Sequence, residues 1–159
     1  MSQELSHIDS RGHARMVNVS RKQISQRVAR AAGEVVMSTL AYEKIQEGKV
    51  KKGDVLSIAE IAGVMGAKKT SSLVPLCHPL ILDRISVMIT LDDELPGVQI
   101  TSHVEVEGKT GAEMEALTAV TIAALTIYDM VKSVDKSMRI QNIRLIEKRG
   151  GSSGDVLNE

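Results

Sequence analysis

Cys77 and His78 stand side by side in LVPLCHPL (Leu73–Leu80), with Pro75 and Pro79 on either side. A cysteine beside a histidine offers three chemistries: a nucleophile with its base, a pair of metal ligands, or two side chains lining a pocket. Adjacent residues on an extended backbone point to opposite sides, whereas the partners of a catalytic dyad meet across a fold. A zinc site takes three or four ligands at recognisable spacing. Cys77 has no second cysteine, and His7, His13 and His103 show no ligand spacing. The stretch therefore reads as a binding wall, stiffened by its prolines, with backbone amides and His78 toward a ligand.

A second stretch, GKTGAEMEALTAVTIAALTIYDMVKSVDK, is richer. Gly108 and Gly111 flank Lys109 and Thr110 just before a predicted helix. Free amides at a helix start attract anions, although a strand-to-helix turn that needs glycines gives the same pattern. The upstream glycine spacing of a P-loop is missing. Glu113 and Glu115 fall in the first turn, where carboxylates suit the helix dipole. Asp129 and Lys132, three apart, share a face at the other end. As a surface pair they would be worth little. They emerge, however, from a nearly uncharged helix that must be buried, and a carboxylate beside an ammonium can divide acid and base roles. Glu115 and Asp129 are fourteen residues apart, roughly 21 Å along a helix axis. One small substrate cannot meet both ends of one helix. Either one end is functional, or the site is assembled between subunits.

Further basic pairs sit beside turns: Lys51–Lys52, Lys68–Lys69 and Lys148–Arg149. They complement helix ends or form a local site for a phosphorylated small molecule. The 159 residues balance 20 basic against 20 acidic side chains, which argues against a general polyanion binder. Phe and Trp are absent and only Tyr42 and Tyr128 are aromatic, so base-stacking platforms for nucleic acid are missing. A single cysteine suits a reducing compartment. The first residues lack a signal-peptide core, and the run from Ala116 to Tyr128 is short and threonine-rich for a membrane span. A soluble cytoplasmic protein is expected.

The elements that must position these residues follow from periodicity. Residues 1–14 read as a flexible polar arm, 15–149 as one domain, and 150–159 as a flexible glycine- and serine-rich tail. Arg15–Ser20 suggests a short strand. QRVARAAGEVVM follows as a strand, with helix as a competitor because of its alanines. Ser38 and Asp54 are candidate N-caps of the next two helices, and Gly63, Gly66 and Ala67 in the second suggest close packing. ISVMITLD and GVQITSHVEVE are strands joined by an acidic turn with Pro96 and Gly97. A long helix spans about Gly111 to Val134, and SMRIQNIRLIEK is the last strand. The order predicts an α+β fold, a ferredoxin-like antiparallel sheet with helices packed on one face.

Three segments together, KKGDVLSIAEIAGVMGAKKTSSLVPLCHPL, GKTGAEMEALTAVTIAALTIYDMVKSVDK and IRLIEKRGGSSGD, resemble the molybdenum cofactor biosynthesis protein C family, the cyclic pyranopterin monophosphate synthases. The likeness covers nearly the whole chain and is weakest in the N-terminal arm. It implies a ferredoxin-like subunit in a hexamer, a trimer of dimers with sites at the dimer interface. It implies a 3',8-cyclised dihydroguanosine triphosphate as substrate, which Mg²⁺ can accompany; the residues themselves show no dedicated protein metal site, and neither nucleic acid nor membrane is an expected partner. The family's acid/base aspartate falls on Asp129 and its partner lysine on Lys132. Family pocket lysines fall on Lys52 and Lys148, of which Lys52 joins the catalytic set. Substrate contacts fall on Leu76, Cys77 and His78, and on Glu113, Met114 and Glu115. The chain departs from the pattern at Asn18, where relatives often carry aspartate, and at Ser152, where relatives carry lysine. The rival readings are a non-catalytic nucleotide- or pterin-binding subunit, a cysteine-dependent hydrolase, and a purely structural oligomer.

Overall fold

The computed structural model describes residues 11–151 and 154–159. Most of the expected N-terminal arm, and Ser152, lie outside the described residues. The elements run β1 (Ser25–Val36), α1 (Thr39–Gln46), α2 (Val55–Lys68), α3 (Thr70–Leu73), β2 (Arg84–Asp92), β3 (Gly97–Gly108), α4 (Glu113–Val131), β4 (Arg139–Arg149) and β5 (Val156–Leu157). The strands form one antiparallel sheet in the order β2-β3-β1-β4-β5. α2 and α4 pack side by side against it, α4 over β1, β3 and β4 and α2 beside β2. This is the α+β, ferredoxin-like arrangement expected from the sequence.

β1 takes the central place because its alternation, broken by small Ala31, Ala32 and Gly33, buries both of its edges and one face. Its alanines, which left helix as a competitor, sit where α4 approaches closely. A Cβ on Gly33 would come within 2.7 Å of Val120. β3 alternates cleanly, burying Val98, Ile100, Ser102, Val104 and Val106 against the helices. α4 is long and apolar enough by composition to cross a membrane. Here it is the core helix, burying Ala116, Ala119, Val120, Ala123 and Ile127.

Both predicted caps are present. Ser38 Oγ accepts from the Ala41 amide at 3.4 Å, and Asp54 Oδ1 from the Ser57 amide at 3.1 Å. The small residues of α2 do set the helix separation. A Cβ on Gly66 would fall 2.7 Å from Ile122 Cγ1, and one on Gly63 would fall 2.9 Å from the Ala119 carbonyl oxygen. A backbone oxygen cannot rotate away. Gly63→Ala is therefore expected to part the two helices and cost about 1–3 kcal/mol. An unchanged urea midpoint would show that the helices have room to spare.

The strand expected at Arg15–Ser20 does not form. Asn18 Oδ1 accepts from the Ser20 amide at 2.9 Å, and the Lys22 amide donates to the Val19 carbonyl at 3.1 Å. These local bonds turn the chain into β1 in place of a ladder. α4 also stops at Val131, short of the expected Val134.

Candidate active site

Three groups of candidate functional side chains are placed by this frame. At the C-terminal end of α4, Asp129 accepts from Lys132 Nζ at 2.8 Å and from Lys52 Nζ at 2.7 Å. Lys52 also donates to the Asp129 carbonyl at 2.8 Å. It is delivered by the turn between α1 and α2, where Gly53 adopts φ +101°. Hydrogen bonds from Lys132 and then Lys52 hold the Asp129 carboxyl down at about 2. The same contact raises Lys132. Asp129 is thus a carboxylate between two ammonium groups, all three about half exposed.

At the other end of α4 lies a cavity of about 460 Å³. Leu76, Cys77 and His78 form one wall; Glu113, Met114 and Glu115 form the other. Lys148, from the end of β4, pairs with Glu113 at 3.0 Å. Ala112 occupies the cap position of α4 and offers no side-chain cap. A Cβ on Gly111 would meet only the far end of the Glu113 side chain, which folds back over it. Glu115 is only 4% exposed. Burial first, and then the charge of Glu113, push its carboxyl upward.

Cys77 follows the same logic. Burial, and then the charge of Glu115, raise its thiol above the ordinary value. A reactive cysteine needs the opposite environment, electropositive and partly exposed. Cys77 is therefore a pocket-lining thiol. Cys77→Ala is expected to keep catalytic turnover within about threefold of the parent, a small packing change against the ~10²-fold or larger loss on removing a nucleophile. Complete inactivity in a folded variant would restore the hydrolase reading.

The third group lies in a second cleft, of about 530 Å³, at the start of β1, lined by Lys22, Ser25, Arg27 and Gly151 among others. Arg27 is buried, and its Nε donates to the Gly108 carbonyl at 2.9 Å. Gly108 leads into the loop of Thr110 and Gly111 that borders the previous cavity. Ser25 Oγ is buried with no hydrogen-bond partner among the described residues. Sequence reasoning missed Lys22 and Arg27. The available signal was an arginine at an inward position of the central strand, where a charge needs a reason to be.

The structure thus brings together Asp129, Lys132 and Lys52 in one cluster. It gathers Leu76, Cys77, His78, Glu113, Met114, Glu115 and Lys148 in another. The two clusters lie at opposite ends of α4. Of the basic pairs noted in the sequence, Lys52 and Lys148 enter these clusters, while Lys68 and Lys69 stand exposed at the end of α2. Among the described residues no group of three or more His, Cys, Asp or Glu side chains could hold a metal ion.

The depressed carboxyls carry a pH signature. Asp129, and Asp135, which accepts from Ser137 and the Ser38 amide, are both held at about 2. Each favours the folded state above its unfolded value of about 3.9 and loses that contribution as pH falls through about 2. Acid titration of stability should therefore fall across about pH 4 to 2, and less steeply in Asp129→Asn. Equal slopes would mean that the ion pair does not persist in solution.

A model described as the MoaC family matches residues 16–151. The chain belongs to the MoaC family. It is 55% identical over 150 residues to a protein of Methylobacterium sp. (strain 4-46) named cyclic pyranopterin monophosphate synthase, covering 94% of each chain. It is 54% identical to a protein of the same name from Dinoroseobacter shibae, covering 94% of this chain and 95% of that one. The MoaC-family match contains β1 to β4 whole and both site clusters.

Proposed function

We propose that this MoaC-family protein is a cyclic pyranopterin monophosphate synthase. It is a lyase of molybdenum cofactor biosynthesis that converts 3',8-cyclo-7,8-dihydroguanosine 5'-triphosphate to cyclic pyranopterin monophosphate and pyrophosphate. The observation that carries this reading is 54–55% identity, over 94% of the chain, to proteins bearing that name. The working compartment is the cytoplasm.

The geometry supports a site shared by two copies. Met114, Thr121, Leu125 and Asp129 form the exposed stripe of α4. Their spacing of seven, four and four places them on one helix face. Beside them α2 exposes Ile58, Ile61 and Met65. A twofold axis near Thr121 would run two α4 helices antiparallel, covering this apolar face. Asp129 of one copy would then lie over the partner's Met114, and each dimer would hold two complete sites. Three such dimers give the hexamer.

In this arrangement Lys52, Lys132 and Lys148, with the uncapped start of α4, hold the triphosphate and stabilise the departing pyrophosphate. Lys22 and Arg27 extend the cationic surface beyond the Gly108 turn. Asp129 and Lys132 move protons during rearrangement of the base-derived ring. Between two ammonium groups Asp129 is a weak base. Drawing either lysine onto a phosphate raises its basicity at the moment of binding. Cys77 and His78 line the ring pocket. No resident cofactor is needed, and Mg²⁺ arrives with the triphosphate.

The test is direct turnover of the cyclised dihydroguanosine triphosphate by the purified protein, following pyrophosphate and the cyclic product together. Stoichiometric appearance of both supports the synthase. A folded protein that binds the compound without turnover is a binding subunit, and neither binding nor turnover ends the reading.

A further inference from the structure

The helix-free face of the sheet carries a concavity of about 410 Å³, across the sheet from α4. Its floor and rim come from four adjacent strands. In register across the sheet, Arg149, Val28, Glu105 and Arg84 form one row; Glu147, Arg30, His103 and Ser86 form the next. Three guanidinium groups and one imidazole thus converge on two carboxylates.

Glu147 is the fixed point. Its side chain is only 7% exposed, and it pairs with Arg30 at 3.2 Å and with Arg149. Glu105 accepts from His103 Nε2 at 2.7 Å and from Arg84 at 3.4 Å. Each arginine therefore spends one nitrogen. No other guanidinium nitrogen of the three has a hydrogen-bond partner among the described residues. Three cations against two anions leave a formal charge of +1 with His103 neutral. The Arg84 and Arg149 side chains are about two-thirds exposed at the rim, free to turn inward. Ser86 and Thr101 add hydroxyl groups beneath them.

Planar forks suit phosphate oxygens better than a point charge does. A carboxylate that anchors Arg30 beforehand removes part of the ordering cost of binding. The geometry points to a second, non-catalytic anion site on the outer sheet face, built by Arg30, Arg84, Arg149 and His103, for a compound carrying a di- or triphosphate. A small singly charged ion would leave forks unused, whereas a di- or triphosphate offers oxygens to more than one.

The probe is inorganic pyrophosphate, titrated into the full chain by calorimetry, with the imidazole resonances of His103 followed by NMR. The parent is expected to show two classes of site and a shift of the His103 signals that saturates with one of them. Arg84→Ala/Arg149→Ala, which removes exposed side chains only, should weaken that class at least tenfold and abolish the shift. Lys52→Ala/Lys148→Ala should weaken the other class alone. The failure of the outer site is thus distinct from the failure of the synthase reading. Binding unaffected by the arginine pair, or a His103 signal that pyrophosphate does not move, overturns the proposal. So does an equal response to sulfate, which would mean an adventitious ion only.

Discussion

Asp129→Asn is expected to lower turnover by roughly 10²–10⁴-fold, the range for loss of a positioned acid/base group. The substitution keeps the shape and one hydrogen-bond acceptor but removes the negative charge between Lys52 and Lys132. The three side chains are about half exposed at a helix end, where solvent screens the pair, so the variant should stay folded at neutral pH. The informative split is in the kinetics. With its carboxylate gone, both lysines are free for phosphate, so substrate affinity should hold or tighten while kcat falls. A variant that loses affinity and keeps kcat would mean that Asp129 organises the pocket and moves no proton.

Mixing two inactive variants should restore activity. A copy carrying Asp129→Asn is broken at the C-terminal end of α4, and a copy carrying Lys148→Ala at the N-terminal end. If each site spans two copies, a mixed dimer has one site with both lesions and one with none. Random re-assembly makes half of the dimers mixed, so about a quarter of parental turnover should return from two nearly silent preparations. The result depends on the stripe that carries Met114, Thr121, Leu125 and Asp129. Sites confined to single chains would give no rescue at any mixing ratio. Leu125→Glu offers a second reading of the same surface. A charge in the middle of the apolar stripe should dissociate the dimer and silence turnover without unfolding the chain.

Much of this was readable from residue order because the deciding interactions are local. Ser38 and Asp54 announce helix starts through their own side chains, and Gly63 and Gly66 announce close approach by having none. The separation of Glu115 from Asp129 also follows from counting along one helix. What failed depended on neighbours that the sequence does not name. MVNVS alternates like a strand, but no strand lies beside it, and Asn18 closes a turn instead. Val156–Leu157 gains its ladder only because β4 offers Glu147 and Lys148 as partners. Arg27 looks like any charged residue in an alternating segment until β1 proves to be central and its guanidinium meets the Gly108 carbonyl. The outer arginine group is likewise a product of register, drawn from three strands far apart in the chain.

The scarcity of aromatic side chains has an optical consequence. Without tryptophan, ultraviolet emission comes from Tyr42 and Tyr128 alone. The Tyr42 hydroxyl is hydrogen-bonded to the Asp93 carboxylate, an arrangement that quenches an excited phenol by taking its proton. Tyr128 donates to the Lys136 carbonyl at 3.1 Å and stands one residue before Asp129. The protein therefore carries a native fluorescent reporter beside its candidate acid/base group, in a spectral window free of tryptophan. A pterin-like product absorbing near that emission would announce its arrival by dimming Tyr128.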